Sequence, residues 1–157
     1  TAQLKQAITL EPKNASLHSQ LGDVYRQMDA YEKAVSYYKK ALKINGDFAE
    51  AHYGLAICYN RLGLVNEEIR AYKRALVSKP DMVAALMNLG NAYFGKQKYD
   101  AAIEQYKKAL ERTEKELKMH EDLQTAINEG IEVLYWNEHQ HHWKVKKEFG
   151  GEPFVKR

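Results

Sequence analysis

The residues best suited to chemistry lie near the C-terminus, in a stretch rich in histidine and tryptophan, residues 136–143. If this stretch is helical, His139 and His142 share a face, and a histidine pair so placed can hold a transition metal. No cysteine joins them, no third ligand stands at a defined spacing, and the His-Glu-x-x-His signature of zinc proteases is absent. We therefore predict no metal site and interpret these histidines as an exposed polar face.

The other reactive side chain is the single cysteine, Cys58, between Ile57 and Tyr59 in an apolar stretch. A reactive thiol needs a basic neighbour or a helix N-terminus, and this position offers neither, so we expect a small buried hydrophobe. The sequence also has no phosphate-binding loop, no nucleophile–base pair and no recognisable pair of catalytic acids. We predict a protein that is not an enzyme and that carries no cofactor.

Composition and charge narrow the class of ligand. The chain has 157 residues, of which 45% are hydrophobic and 29% charged, as expected for one folded domain. Residues 144–157 hold five basic and two acidic residues, which accounts for the whole net charge of +3. The rest of the chain has no net charge, which argues against nucleic acid as a partner, because affinity for nucleic acid depends on cationic contacts with phosphates. Without a long apolar run we predict no membrane insertion; the compartment stays open, with the cytoplasm favoured.

A pattern with a period of 34 residues organises most of the chain. Each copy repeats a leucine, a tyrosine and an alanine at fixed positions. These are Leu21, Leu55 and Leu89; Tyr25, Tyr59 and Tyr93; and Ala41, Ala75 and Ala109. Apolar residues recur at helical spacing within each copy, and Pro12, Gly46 and Pro80 mark turns between copies. Such a period indicates stacked helix–turn–helix units rather than one globular core.

The repeat predicts the organisation of the chain. The first residues, ending at Pro12, have the pattern of the second helix of a truncated unit, so we interpret the chain as a piece of a longer protein. After the three units, apolar spacing predicts a long helix, kinked near Gly130, that covers the last apolar face of the array. The predicted segments are 1–14 (truncated unit), 15–48, 49–82 and 83–116 (complete units), 117–149 (capping helix) and 150–157 (flexible tail).

The matched positions resemble the tetratricopeptide repeat (TPR) family. Its unit carries a Leu-Gly pair and a tyrosine in the first helix, then an alanine, an aromatic residue and a second alanine in the second helix. The pair is Leu21-Gly22, Leu55-Ala56 and Leu89-Gly90, and the aromatic is Tyr38, Tyr72 and Tyr106. Glu68 replaces the first alanine, so we expect those helices to splay or the carboxylate to reach outward. Glu114 replaces the turn proline, so the third unit should run on into the capping helix.

The resemblance implies an all-α fold, a right-handed α-solenoid of helix–turn–helix repeats whose concave groove is lined by the first helix of each unit. In this family the groove usually holds a peptide or a helix of a partner protein. The corresponding positions here are Ser19, Gln20, Asp23, Arg26, Tyr53, Ile57, Asn60, Met87, Asn88, Asn91 and Phe94. Their mixture of apolar and amide side chains predicts binding of an extended segment or an amphipathic helix through two or three apolar anchors.

Two recognition schemes known in the family can be compared with these positions. The chaperone-binding clamp holds a C-terminal carboxylate with lysine and asparagine, but this chain has Asp23, Gly54 and Asn88 among the clamp positions, so we predict that the clamp is absent. The asparagine ladder, which grips a peptide backbone, matches in part. Asn88 and Asn91 fit it, Asn60 lies nearby, and Gly54 interrupts it.

Three alternatives stay open. The C-terminal helix or a missing part of the protein could fill the groove itself. Trp136 and Trp143 are seven residues apart and share a face of the predicted helix, so with Phe149 they could form the contact of a homo-oligomer. The array could also be the regulatory segment of a larger multidomain enzyme.

Overall fold

The computed structural model describes residues 2–128, 134–137 and 142–145. The helices are α1 (Ala2–Leu10), α2 (Ala15–Gln27), α3 (Tyr31–Ile44), α4 (Ala49–Arg61), α5 (Val65–Ser78), α6 (Val83–Gly95) and α7 (Tyr99–Asn128), and the strands are β1 (Leu134–Asn137) and β2 (His142–Val145). The chain divides into two compact units, residues 1–110 and 111–157. In the described part of the chain, no helix has both the length and the apolar character that crossing a bilayer requires.

Residues 1–110 form the stacked helix pairs that the sequence predicts. Helix α2 packs against α3 and α4 against α5, and each pair joins the next through α3 against α4 and α5 against α6. The core is made of small and aromatic residues at the repeated positions, with Ala41, Ala75 and Ala109 all buried. The all-α helical-repeat fold is therefore confirmed.

The helix ends follow local backbone chemistry. Asn14 caps α2, because its side-chain oxygen accepts from the backbone N–H groups of Ser16 and Leu17 at 3.1 and 3.4 Å. The first helix of each unit is followed by one residue in the left-handed region, namely Asp29, Gly63 and Gln97, with φ of 55°, 72° and 58°. Asn66 does not cap α5, because the helix already begins at Val65; its side-chain oxygen accepts a hydrogen bond from Lys96 Nζ instead.

Tyr38, whose side chain is fully buried, packs closely against two glycines of the first helices. A Cβ atom added to Gly22 would lie 2.8 Å from the Tyr38 ring, and one added to Gly54 would lie 2.4 Å from it. The same contact recurs in the third unit, where a Cβ on Gly90 would lie 2.4 Å from the ring of Tyr106. Glycine at these positions lets a tyrosine from the second helix lie against the backbone of a first helix.

The C-terminal part differs from the prediction. Helix α7 runs without a break to Asn128, so the expected continuation past Glu114 is confirmed. The helix predicted over 117–149 is wrong beyond that point, because β1 and β2 pair antiparallel there. Both strands are rich in aromatic and apolar residues, which favour extended structure. Trp136 and Trp143 are therefore directly paired residues of two strands, not residues on one helical face.

Gly54→Ala is expected to destabilise the array by about 1–3 kcal/mol, because the added methyl group overlaps a buried ring that has no room to move. Gly95→Ala is the matched control. It lies at the end of α6 with nothing within 4 Å of an added Cβ atom, so it should be neutral or slightly stabilising. Urea unfolding followed by circular dichroism measures both variants, and equal stability of the two would contradict the packing described for Tyr38.

Candidate partner-binding groove

The first helices of the three units, α2, α4 and α6, bring the predicted binding positions into repeating rows. Ser19, Tyr53 and Met87 are equivalent by the repeat, as are Arg26, Asn60 and Phe94. The apolar members are accessible: Met87 and Phe94 are 43% and 60% exposed. The Phe94 ring also packs edge-to-face on Tyr99, with centroids 5.4 Å apart. The third unit thus offers an uncovered apolar and aromatic surface, which we call the α6 patch (Met87, Phe94 and Tyr99).

Two amide side chains beside the α6 patch are held in fixed orientations. Asn91 Oδ1 accepts a hydrogen bond from the Tyr106 hydroxyl at 2.7 Å, so the two N–H donors of Asn91 are left for another molecule. Asn88 Nδ2 donates to the Tyr53 hydroxyl at 3.2 Å, so its carbonyl oxygen is left as an acceptor. The two amides therefore offer opposite hydrogen-bonding groups, three residues apart on one helix.

A charged network occupies the first unit. The Tyr38 hydroxyl donates to Asp23 Oδ1 at 2.7 Å, and Arg26 donates both to that same oxygen at 3.3 Å and to the Tyr38 hydroxyl at 3.2 Å. Burial raises the pKa of Tyr38, and the hydrogen bond to Asp23 raises it further, so the hydroxyl stays a donor. Asp23 and Arg26 are thus partners of each other as well as candidate contacts.

In the second unit, the prediction that the Glu68 carboxylate reaches outward is wrong. Its side chain is buried, at 3% exposure, and its Oε1 accepts from Asn60 Nδ2 at 3.0 Å. It does not reach outward, because Asn60 on α4 supplies a partner inside the array. Burial raises the pKa of Glu68, and the Asn60 hydrogen bond offsets this only partly. Glu68 thereby fixes one N–H of Asn60, an exposed groove residue.

The remaining predicted residues divide by accessibility. Ser19 is buried, at 4% exposure. Little of its surface is therefore available to a partner, and its contact with one remains a prediction. Gln20 is exposed, and Ile57 is half-buried. Cys58 is fully buried and burial raises its thiol pKa to about 11, which confirms that it is a structural residue.

Of the histidine and tryptophan stretch, the structure describes only the backbone of residues 136–137 and 142–143. His142 belongs to β2 and is paired with Asn137, so the helical face that it was expected to share with His139 does not exist. His139 and Phe149 lie outside the described residues. The oligomer contact predicted for Trp136, Trp143 and Phe149 therefore remains a prediction.

Sequence reasoning missed the residues that support the groove from behind. The sequence shows Tyr106 and Tyr38 only as repeated aromatic positions, yet their hydroxyl groups orient Asn91 and Asp23. Gly54 was seen only as a gap in a ladder of amides, yet it is the contact point of Tyr38. The signal was the tyrosine kept in all three units, since phenylalanine would fill the same space without a hydroxyl.

Comparison with known proteins agrees with this geometry. Residues 22–63 match a family model described as TPR repeat, and residues 83–114 match one described as tetratricopeptide repeat. A crystal structure of MamA is 32% identical, with a TM-score of 0.70 over 73% of this chain and 67% of that one. A second MamA structure is also 32% identical, with a TM-score of 0.66 over 73% of this chain and 63% of that one. No curated protein matches the chain.

A MamA RS-1 ArsTM double mutant is only 19% identical, with a TM-score of 0.67 over 72% of this chain and 64% of that one, and so supports the fold alone. The chain spans about two thirds of the length of these structures. The fold and the repeated site define an array of helical repeats of the protein-interaction class. The chain belongs to the tetratricopeptide repeat family.

Glu68→Gln is expected to stabilise the protein by about 1 kcal/mol at pH 8, because it removes a buried charge yet keeps an acceptor for Asn60. The pKa of Glu68 is raised in the folded state, so the native state holds the proton more tightly than the unfolded state. The wild type should therefore lose stability as the pH rises from the ordinary glutamate pKa through the raised one. Urea unfolding between pH 4.5 and pH 8 should show the advantage of Glu68→Gln shrinking in acid; a constant advantage would contradict this reading.

Proposed function

We propose that this chain is an interaction scaffold that binds an extended segment of a partner protein along α2, α4 and α6. The observation that carries the proposal is the α6 patch beside two pre-oriented amides, Asn88 and Asn91. An exposed patch of methionine and aromatic side chains adapts to apolar anchors of a ligand. Fixed amide groups then select how the backbone of that ligand lies.

An extended ligand fits the polar groups better than a helix does. A helix satisfies its backbone N–H and C=O groups internally, whereas an extended segment leaves them free. Asn91 offers N–H donors to a peptide carbonyl, and Asn88 offers a carbonyl oxygen to a peptide N–H. Because both amides are already held by tyrosine hydroxyls, binding loses less side-chain entropy than it would with free amides.

The first unit favours a different part of the ligand from the third. Asp23 and Arg26 are partly exposed and neutralise each other, so this end of the groove suits polar or paired charged groups. We therefore propose a ligand whose apolar residues lie on the α6 patch and whose polar residues lie over α2. A chaperone-type carboxylate clamp has no counterpart here, because Asp23 would repel a C-terminal carboxylate.

The test uses a library of 12-residue peptides displayed on phage, selected against the immobilised 157-residue chain. Peptides enriched on the wild type should bind Met87→Ala and Asn91→Ala at least tenfold more weakly, because each variant removes a contact in the centre of the site. Val77→Ala is the matched control, since Val77 is 74% exposed on α5, outside the groove. Unchanged affinity in Met87→Ala and Asn91→Ala, or an equal loss in Val77→Ala, would refute the proposal.

A further inference from the structure

At one of the positions where the second helices of the first two units differ, a tyrosine is replaced by an alanine. Tyr37 of α3 corresponds by the repeat to Ala71 of α5. The Tyr37 ring lies between two rings of α2, with its centroid 5.3 Å from that of Tyr25 and 6.5 Å from that of His18. Both pairs are stacked, with interplanar angles of 16° and 25°. In the first unit, therefore, an aromatic ring fills the space between α2 and α3.

The second unit has equivalents of the residues that surround this space, but it has no equivalent of the Tyr37 ring. His52 and Tyr59 are the counterparts of His18 and Tyr25, and Leu55 lies between them on α4. With alanine at position 71, the space is an open cavity of about 220 Å³, which we call the α4–α5 slot. Its lining residues are His52, Leu55, Tyr59, Glu67, Arg70, Ala71 and Arg74. A cavity of about 150 Å³ in a protein core is enough to hold benzene.

Two cationic side chains line the slot. Arg70 is paired with Glu67 at 2.7 Å. Arg74 is exposed and forms no ion pair within residues 2–121. Its counterpart in the first unit, Lys40, lies 4.6 Å from the centroid of the Tyr37 ring. By the same register, Arg74 stands next to the place that a ring in the slot would occupy, where it can contact the ring face or an attached carboxylate.

The imidazole ring of His52, which lines the slot, is also held in place. His52 Nε2 lies 2.8 Å from the carbonyl oxygen of Gly46. Because a carbonyl only accepts, Nε2 carries the proton, and the ring plane is held for stacking. The equivalent bond holds His18, whose Nε2 lies 2.9 Å from the carbonyl oxygen of Pro12. The slot is thus built like the filled site in the first unit.

We propose that the α4–α5 slot binds an aromatic side chain of a partner protein, with an adjacent acidic group of that partner paired with Arg74. We infer an aromatic occupant because the aromatic ring of Tyr37 fills the equivalent space in the first unit. Arg74 supplies the charge complementarity. This site shares no residue with the groove formed by α2, α4 and α6, so it is a second and separate contact.

The test uses 3-(4-hydroxyphenyl)propionate, which combines the tyrosine ring with a carboxylate, and the full 157-residue chain. Nuclear magnetic resonance should show saturable shifts of the Ala71 methyl and His52 ring signals, and propionate, which lacks the ring, should produce none. Ala71→Tyr should abolish probe binding, because the new ring fills the slot. Ala84→Tyr is the control, placing the same ring at an exposed position of α6. Arg74→Gln should weaken binding by about two- to fivefold, as expected for an exposed ion pair.

A gain-of-binding variant covers the case in which Ala71→Tyr fails to fold. Tyr37→Ala should open a second slot and add saturable shifts at the His18 ring, with those at His52 retained. The proposal is overturned if the wild type shows no saturable shift at Ala71 and His52. It is also overturned if a folded Ala71→Tyr variant binds as the wild type does, or if Tyr37→Ala adds no site.

Discussion

The structure depends on tyrosines of the second helices, Tyr38 and Tyr106, lying against glycines of the first helices. Tyr38 meets Gly22 in its own unit and Gly54 in the next, and Tyr106 meets Gly90. This contact sets how closely the helices approach, because a single methyl group at these positions would overlap the ring. A large ring on bare backbone buries much apolar surface in a two-layered array that has no deep core.

The same tyrosines link the packing to the surface. The Tyr38 ring is buried and the Tyr106 ring is half-buried, and the hydroxyl group of each extends to the side of the first helices. There the hydroxyls of Tyr38 and Tyr106 hold Asp23 and Asn91. The second unit has Ile57 where the others have Asp23 and Asn91, and its polar contacts involve Tyr53, Asn88, Asn60 and Glu68 instead. The groove thus changes from charged in the first unit to apolar and amide-rich in the third, while the packing behind it stays the same.

The sequence was sufficient to predict whatever is repeated. Three copies at one spacing predicted the helix pairs, and Glu114 predicted that the last helix continues past the third unit. Features that depend on one residue and its partner across a helix pair were not predictable. Glu68 is buried because Asn60 faces it, and no pattern within α5 contains that information. The prediction of a helix after Asn128 failed for another reason. Short apolar runs fit both a helical and an extended period, so their spacing alone does not distinguish a helix from a strand.

The α4–α5 slot illustrates what comparison of the units adds. In the second unit alone, Ala71 is an ordinary small residue of a helix. Only the equivalent position in the first unit, where Tyr37 is stacked between Tyr25 and His18, shows that a ring is missing there. Repeat proteins carry such internal references, because one architecture is filled by different side chains in successive units.

The central claim is that the packing tyrosines of the second helices also orient the groove, and Tyr106→Phe tests it most directly. The variant keeps the ring against Gly90 and removes only the hydroxyl group that holds Asn91. Titration of a peptide selected on the wild-type chain should show affinity reduced by about three- to tenfold, as expected for one lost hydrogen bond. Helical content and the midpoint of urea unfolding should stay close to those of the wild type. Unchanged affinity in Tyr106→Phe would contradict the account.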